Sequence, residues 1–159
     1  MHKIHLTKRL PYSPEQLMEL ALDVEAYHQF VPFCERCLIR EQFERQGRDV
    51  MVAAMTVGVS IFNETFVSRV ISDPDARTIR VTGIDGPLNA LVNNWHFKLL
   101  DDGATEIEFS VSFEFRSRIL SMLASSRVED VCNRILDAFV ERAHQLYGRK
   151  GNNGEPQTA

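Results

Sequence analysis

The chain has 159 residues, 44% of them hydrophobic, with a formal net charge of −4 and a pI near 5.7. That is enough for one domain with a sizeable core, and too acidic for the basic stripe that broad nucleic-acid binding requires, so DNA is not expected as a partner. No apolar run reaches the ~20 residues of a membrane-spanning helix. The opening Met1-His2-Lys3-Ile4-His5-Leu6 has neither an apolar signal core nor an Arg/Ser-rich transit pattern. The chain therefore reads as made and kept in a reducing cytoplasm, or as an already processed form. Three cysteines, Cys34, Cys37 and Cys132, are an odd number and too few for a disulfide framework.

The first predicted strand is Lys3 to Leu10, with Ile4, Leu6 and Leu10 inward. Ser13-Pro14-Glu15-Gln16 marks a helix start, with serine as N-cap and proline at the first helical position; Leu17, Leu20 and Ala21 form its buried stripe. Asp23 begins a second short helix that Pro32 stops. Strands are predicted at Cys37 to Phe43 and Val50 to Val59, the latter with a bulge or bend at Gly58, and at Ile61 to Ile71. Arg77 to Thr82 is a shorter strand with Ile79 and Val81 inward, and Leu88 to Val92 a connecting segment. Asn93 to Leu100 is a strand with Trp95, Phe97 and Leu99 on one face, and Asp101-Asp102-Gly103 a hairpin turn.

Glu106 to Arg118 carries the clearest pattern in the chain. Ile107, Phe109, Val111, Phe113 and Phe115 alternate with Glu106, Glu108, Ser110, Ser112, Glu114 and Arg116, which makes one sheet face apolar and the other wet. The one long helical pattern follows. Ile119, Leu123, Val131, Ile135, Leu136, Phe139, Ala143 and Leu146 share a stripe up to Gly148, with a bend or break at Ala124-Ser125-Ser126. The order β-α-α-β-β-β-β-β-β-α predicts an α+β fold, an antiparallel layer covered by helices from the chain ends. Residues 149–159 have no apolar anchor and read as a disordered tail beyond a single domain at 1–148.

Few residues suggest catalysis. Cys34-Glu35-Arg36-Cys37 has the spacing of a redox pair or half a zinc site, but no second ligand pair follows, and it enters a strand after Pro32 instead of opening a helix. Two free thiols is the plainer reading. Gly83 to Gly86 lacks a phosphate-loop pattern. Glu64 is a candidate buried acid if its strand is regular, whereas a bulge at Gly58 would turn it outward. His96, between Trp95 and Phe97, faces water if they face in. No catalytic or metal-binding residue is assigned, and the concentration of Phe62, Phe66, Trp95, Phe97, Phe109, Phe113 and Phe115 on strands fits either a core or an apolar cavity.

Several segments together resemble a known family: Tyr27-His28-Gln29-Phe30-Val31-Pro32-Phe33-Cys34, Gly86-Pro87-Leu88 to Trp95-His96-Phe97, Val111-Ser112-Phe113-Glu114-Phe115, and Ala138-Phe139 to Arg142-Ala143 with Leu146-Tyr147-Gly148. The chain resembles the START-like, polyketide cyclase/dehydrase superfamily, in the branch of coenzyme Q-binding proteins and ribosome-association toxins. Phe33 stands where that branch's Pro-aromatic-Cys motif has tryptophan. The resemblance implies a helix-grip fold: about seven antiparallel strands curved around the C-terminal helix and enclosing an apolar tunnel.

By parity and helical period the tunnel wall would comprise Trp95, Phe97, Phe109, Phe113, Leu123, Val131, Ile135 and Phe139. By resemblance Pro32, Phe33, Leu88 and Leu91 would form its mouth. The resemblance also implies a non-enzymatic carrier of ubiquinone or another polyprenyl quinone. It would need no cofactor, would support respiratory electron transport, and would contact the inner membrane transiently. Two other readings stand beside it: a protein that binds the large ribosomal subunit and blocks subunit joining, and an aromatase/cyclase-type enzyme relying on Glu64 or His96.

Overall fold

The computed structural model describes residues 2–59, 62–124 and 127–148, without the side chains at 59, 62, 120, 123 and 124. The predicted tail at 149–159 and the serines at 125 and 126 lie outside the described residues. Seven strands are present: β1 (His2–Leu10), β2 (Cys34–Arg45), β3 (Arg48–Val59), β4 (Phe62–Asp73), β5 (Thr78–Asp85), β6 (Leu88–Leu99) and β7 (Thr105–Phe115). They form one antiparallel sheet in the order β1-β7-β6-β5-β4-β3-β2. Helix α1 (Pro14–Leu22) and a 3₁₀ segment (Val24–Gln29) connect β1 to β2, and α2 (Arg118–Ala124) and α3 (Val128–Tyr147) close the described chain. The architecture is the α+β helix-grip arrangement expected from the sequence.

Residue type explains the core. The odd positions of β7 from Thr105 to Phe113 are all buried, as the strict alternation requires. Leu6 lies opposite Phe109 and Ile4 opposite Val111 on β1, while Trp95 and Phe97 on β6 lie opposite Phe109 and Ile107. Ser13 caps α1 through a reciprocal pair: Gln16 N–H donates to Ser13 Oγ at 3.1 Å and Ser13 N–H to Gln16 Oε1 at 3.0 Å. Tyr12, fully buried, joins the chain ends. Its hydroxyl donates to the Gly148 carbonyl and lies 2.6 Å from His144 Nδ1, and its own carbonyl accepts from Thr105 Oγ1 at 2.7 Å.

Four expectations are corrected. Leu88 to Val92 is not a connector: β6 runs unbroken through it, and a register shift between Leu88 and Ala90 puts Leu88 and Leu91, three apart, opposite Phe115 and Phe113 on one face. Gly58 is not a bulge, since β3 and β4 pair in unbroken register from Asp49↔Ser72 to Val59↔Phe62. The side of Gly58 where a Cβ would stand is occupied by the Glu35 carboxylate, so a larger residue there would push that exposed side chain aside. The C-terminal pattern divides between α2 and α3, as its expected break implied, but two members of its stripe are not buried: Ile119 is 71% and Leu146 51% exposed. Leu99, though level with buried Thr105, is 47% exposed at the end of β6.

Cys34 and Cys37 are free and buried. Burial raises both thiols above their ordinary value, Cys37 to about 12. They pair across β2 with Val57 and Met55 on β3, a sheet setting that favours the neutral thiol. Among the described residues no group of three or more His, Cys, Asp or Glu could hold a metal.

Two outcomes follow. Replacing the cap, Ser13→Ala, should destabilise the fold by ~1 kcal/mol in urea unfolding. A raised thiol pKa means that the native state keeps its proton where the unfolded state loses it. Stability should therefore fall as pH rises past 9.0 towards about 12. Urea titrations from pH 7 to 10.5 should show a shallower fall for Cys37→Ser than for the parent; equal slopes would remove Cys37 as the cause.

Candidate functional site

The space between the sheet and α3 divides into two halves of different character. In one, aromatic rings pack to closure around Phe139 of α3. Trp95, Tyr27 and Phe30 each meet its ring edge-on, with centroids 5.2, 5.3 and 5.3 Å away. Trp95 is also edge-on to Phe109 at 5.0 Å and stacked on Phe97 at 5.9 Å. Four of the residues assigned to a tunnel wall, Trp95, Phe97, Phe109 and Phe139, therefore belong to a buried, mutually packed cluster. Burial drives the Tyr27 hydroxyl far above its ordinary pKa, and it donates instead to the Ala21 carbonyl. Phe113 is buried too, beneath the stacked ring of His2 at 5.1 Å and the edge-on ring of Phe115 at 5.4 Å.

The other half is looser. One cross-strand row runs Met51–Val70–Val81–Asn93–Val111. Its flanks, Met51, Val70 and Val111, are buried, yet Val81 and Asn93 in the middle keep partial exposure. They share the face of buried Ile79 and Trp95, so the accessible surface lies on the concave side. Leu88, Leu91 and Phe115 from the sheet, and Val131 and Ile135 from α3, are half-buried around the core in the same way. Leu123 falls in α2, and its side chain lies outside the described residues.

Pro32 and Phe33 lie half-buried just before β2. Phe33 has φ +73°, a strained backbone for a bulky side chain, and its carbonyl accepts from Gly58 N–H at 2.9 Å. The Glu35 carboxylate lies over Gly58 and accepts from Asn63 Nδ2 at 3.2 Å. Leu88 and Leu91 line a small hollow of about 50 Å³ with Phe66, Ser68, Gly83 and Arg116. Gly86 closes the adjoining turn at φ +133°, where a Cβ would approach Thr65 O to 2.9 Å, and its carbonyl accepts from Arg116 Nε at 2.7 Å. All of these features lie at the same end of the sheet.

The two acid/base candidates lie elsewhere. Glu64 pairs opposite Val57 in regular register, on the face of Phe66 and Val70, but it is exposed. His96 points to the convex side, its Nδ1 3.1 Å from Glu108 Oε1. There it borders a hollow of about 220 Å³ with His5, Thr78, Asn94, Trp95, Glu108 and Ser110. Asn93 has no role in the sequence reading, while Val81 enters it only as an inward strand position and Tyr27 and Phe30 only as part of a motif. The parity that placed Trp95 and Phe97 inward reaches Asn93 as well.

Comparison with known proteins agrees with this geometry. Residues 10–140 match the family described as polyketide cyclase / dehydrase and lipid transport. The ribosome association toxin RatA of Escherichia coli K12 is 31% identical over 94% of this chain and 92% of its own. The mitochondrial coenzyme Q-binding protein coq10 of Schizosaccharomyces pombe is 30% identical over 86% of this chain and 84% of its own. The solution structure of the 18 kDa protein CC1736 from Caulobacter crescentus superposes with a TM-score of 0.77 at 36% identity, covering 94% of this chain and all of that one. With its seven-stranded sheet gripping a C-terminal helix, the chain belongs to the polyketide cyclase/dehydrase and lipid transport family, whose fold is START-like.

Proposed function

We propose that this protein is a non-enzymatic carrier that holds a polyprenyl quinone, ubiquinone in the first instance, in the looser half of its helix-grip interior. The observation that carries the reading is the partial exposure of Val81, Asn93, Leu88 and Leu91 on the inward sheet face, with Val131 and Ile135 of α3 also half-buried, beside an aromatic cluster. An isoprenoid tail suits such a lining, because each buried CH₂ contributes ~0.8 kcal/mol. The quinone-binding relative supports this choice among apolar ligands. The positions of Glu64, which is exposed, and of His96, on the opposite face, favour binding over turnover of the cyclase kind.

In this reading Pro32, Phe33, Leu88 and Leu91 border the entrance, and Phe113, Leu123, Val131 and Ile135 line the bound tail. Trp95, Phe97, Phe109 and Phe139 form the closed end against which the ligand stops. The carrier would work in the cytoplasm, meet the inner membrane transiently and supply quinone to respiratory electron transport. No helix of the described residues is long and apolar enough to cross a membrane.

A second reading rests on the RatA relatives: association with the large ribosomal subunit, blocking subunit joining. Two measurements separate them. Organic extraction of the purified protein followed by mass spectrometry should recover polyprenyl quinone, at up to one equivalent per chain. A clean protein that also fails to take up added ubiquinone would sink the carrier reading. Under the second reading the protein would co-sediment with large subunits in a sucrose gradient, and free migration at physiological salt would remove it.

A further inference from the structure

Asn93 lies at the centre of the looser half, and its hydrogen bonds leave one group uncommitted. Its Oδ1 accepts from the Trp95 indole N–H at 2.8 Å, and its Nδ2 donates to the Ser110 carbonyl at 2.9 Å. These partners fix which way the amide faces, since an indole N–H can only donate and a carbonyl can only accept. An amide nitrogen has two N–H groups. Ser110 takes one, and no partner for the other is present among the described residues. Asn93 remains half-buried in mid-sheet, between Val81 and Val111.

We infer that the second Nδ2–H of Asn93 is the anchor for the ligand's polar head, and that it selects a carbonyl oxygen. The inference rests on the carrier reading and narrows it. Both partners of Asn93 are themselves constrained: Trp95 is wedged against Phe97, Phe109 and Phe139, and Ser110 carries its carbonyl in the β7 ladder. The amide is therefore held in place before any ligand arrives, which lowers the cost of ordering it on binding. Around it are valine, leucine and aromatic carbon. A single neutral donor in such surroundings complements an acceptor. A quinone or ketone oxygen satisfies it and is satisfied, whereas a hydrocarbon leaves the N–H unpaired.

Trp95 is the chain's sole tryptophan and is bonded to Asn93, so its emission reports the site. Decylubiquinone should quench it on titration, and n-undecylbenzene, a ring and tail without carbonyls, should compete. Asn93→Leu should weaken decylubiquinone about five- to tenfold while the hydrocarbon's affinity stays within about twofold. Because the leucine variant also strips Trp95 and Ser110 of partners, a measurement on the unaltered protein stands beside it. In ¹⁵N-labelled protein saturated with decylubiquinone, the Asn93 side-chain proton not held by Ser110 should shift strongly and its geminal partner little. Equal loss of quinone and hydrocarbon in the variant, or two unmoved amide protons at saturation, overturns the inference and leaves an apolar carrier. If the parent protein binds neither compound, the carrier reading itself fails.

Discussion

The packing of α3 through Phe139 is the contact on which the interior depends. One side chain meets Trp95 from the sheet, Tyr27 from the 3₁₀ segment and Phe30 just after it, all edge-on and within about 5.3 Å. Such pairs add ~0.5–1.5 kcal/mol each beyond the area they bury, and together they fix how far the helix stands from the curved sheet. Leu136 and Ala143, both fully buried, hold neighbouring turns. Val131 and Ile135, nearer the start of α3 than this anchor, stay half-buried.

Polar groups inside are placed with the same economy. Tyr12, Thr105, Tyr27 and Tyr147 each direct a hydroxyl to a backbone carbonyl, so the closed half buries few unpaired donors. Lys8, on the inward row of β1, reaches Asp137 of α3 at 2.9 Å; with both side chains partly exposed, the pair orients the helix more than it stabilises it. Arg142 spreads over Phe30, its guanidinium carbon 5.1 Å from the ring centroid, and donates to Gln29 Oε1. The 3₁₀ segment is thereby tied to α3 by charge as well as by aromatic contact.

Much of this was legible in the residues. Period-two alternation located β7, and the serine–proline start located α1, because local pattern and tertiary burial agree there. Leu88 to Val92 misled because a bulge resets parity midway, and single-sequence patterns carry no mark of where a ladder slips. Gly58 misled for a related reason. Its strand pairs without interruption, and the neighbour that fills the space beside it is the Glu35 carboxylate, twenty-three residues away in sequence. At the site, parity alone located Trp95 and Phe97 on the inward face but could not show whether they line a space or fill one. That depends on how Tyr27 and Phe30 come down onto Phe139, a contact between two segments far apart in sequence.

The two register shifts in β2, between Cys34 and Arg36 and between Ile39 and Glu41, have a consequence outside the interior. β2 is an edge of the sheet, and a long flat edge invites another chain to add a strand. Here the ladder is interrupted twice, and Glu35, Arg36, Arg40, Glu41, Glu44 and Arg45 set both signs of charge along it. Such an edge is a poor template for a neighbouring copy. The same irregularities that seat Cys34 and Cys37 against the core thus protect the protein from self-association into extended sheets.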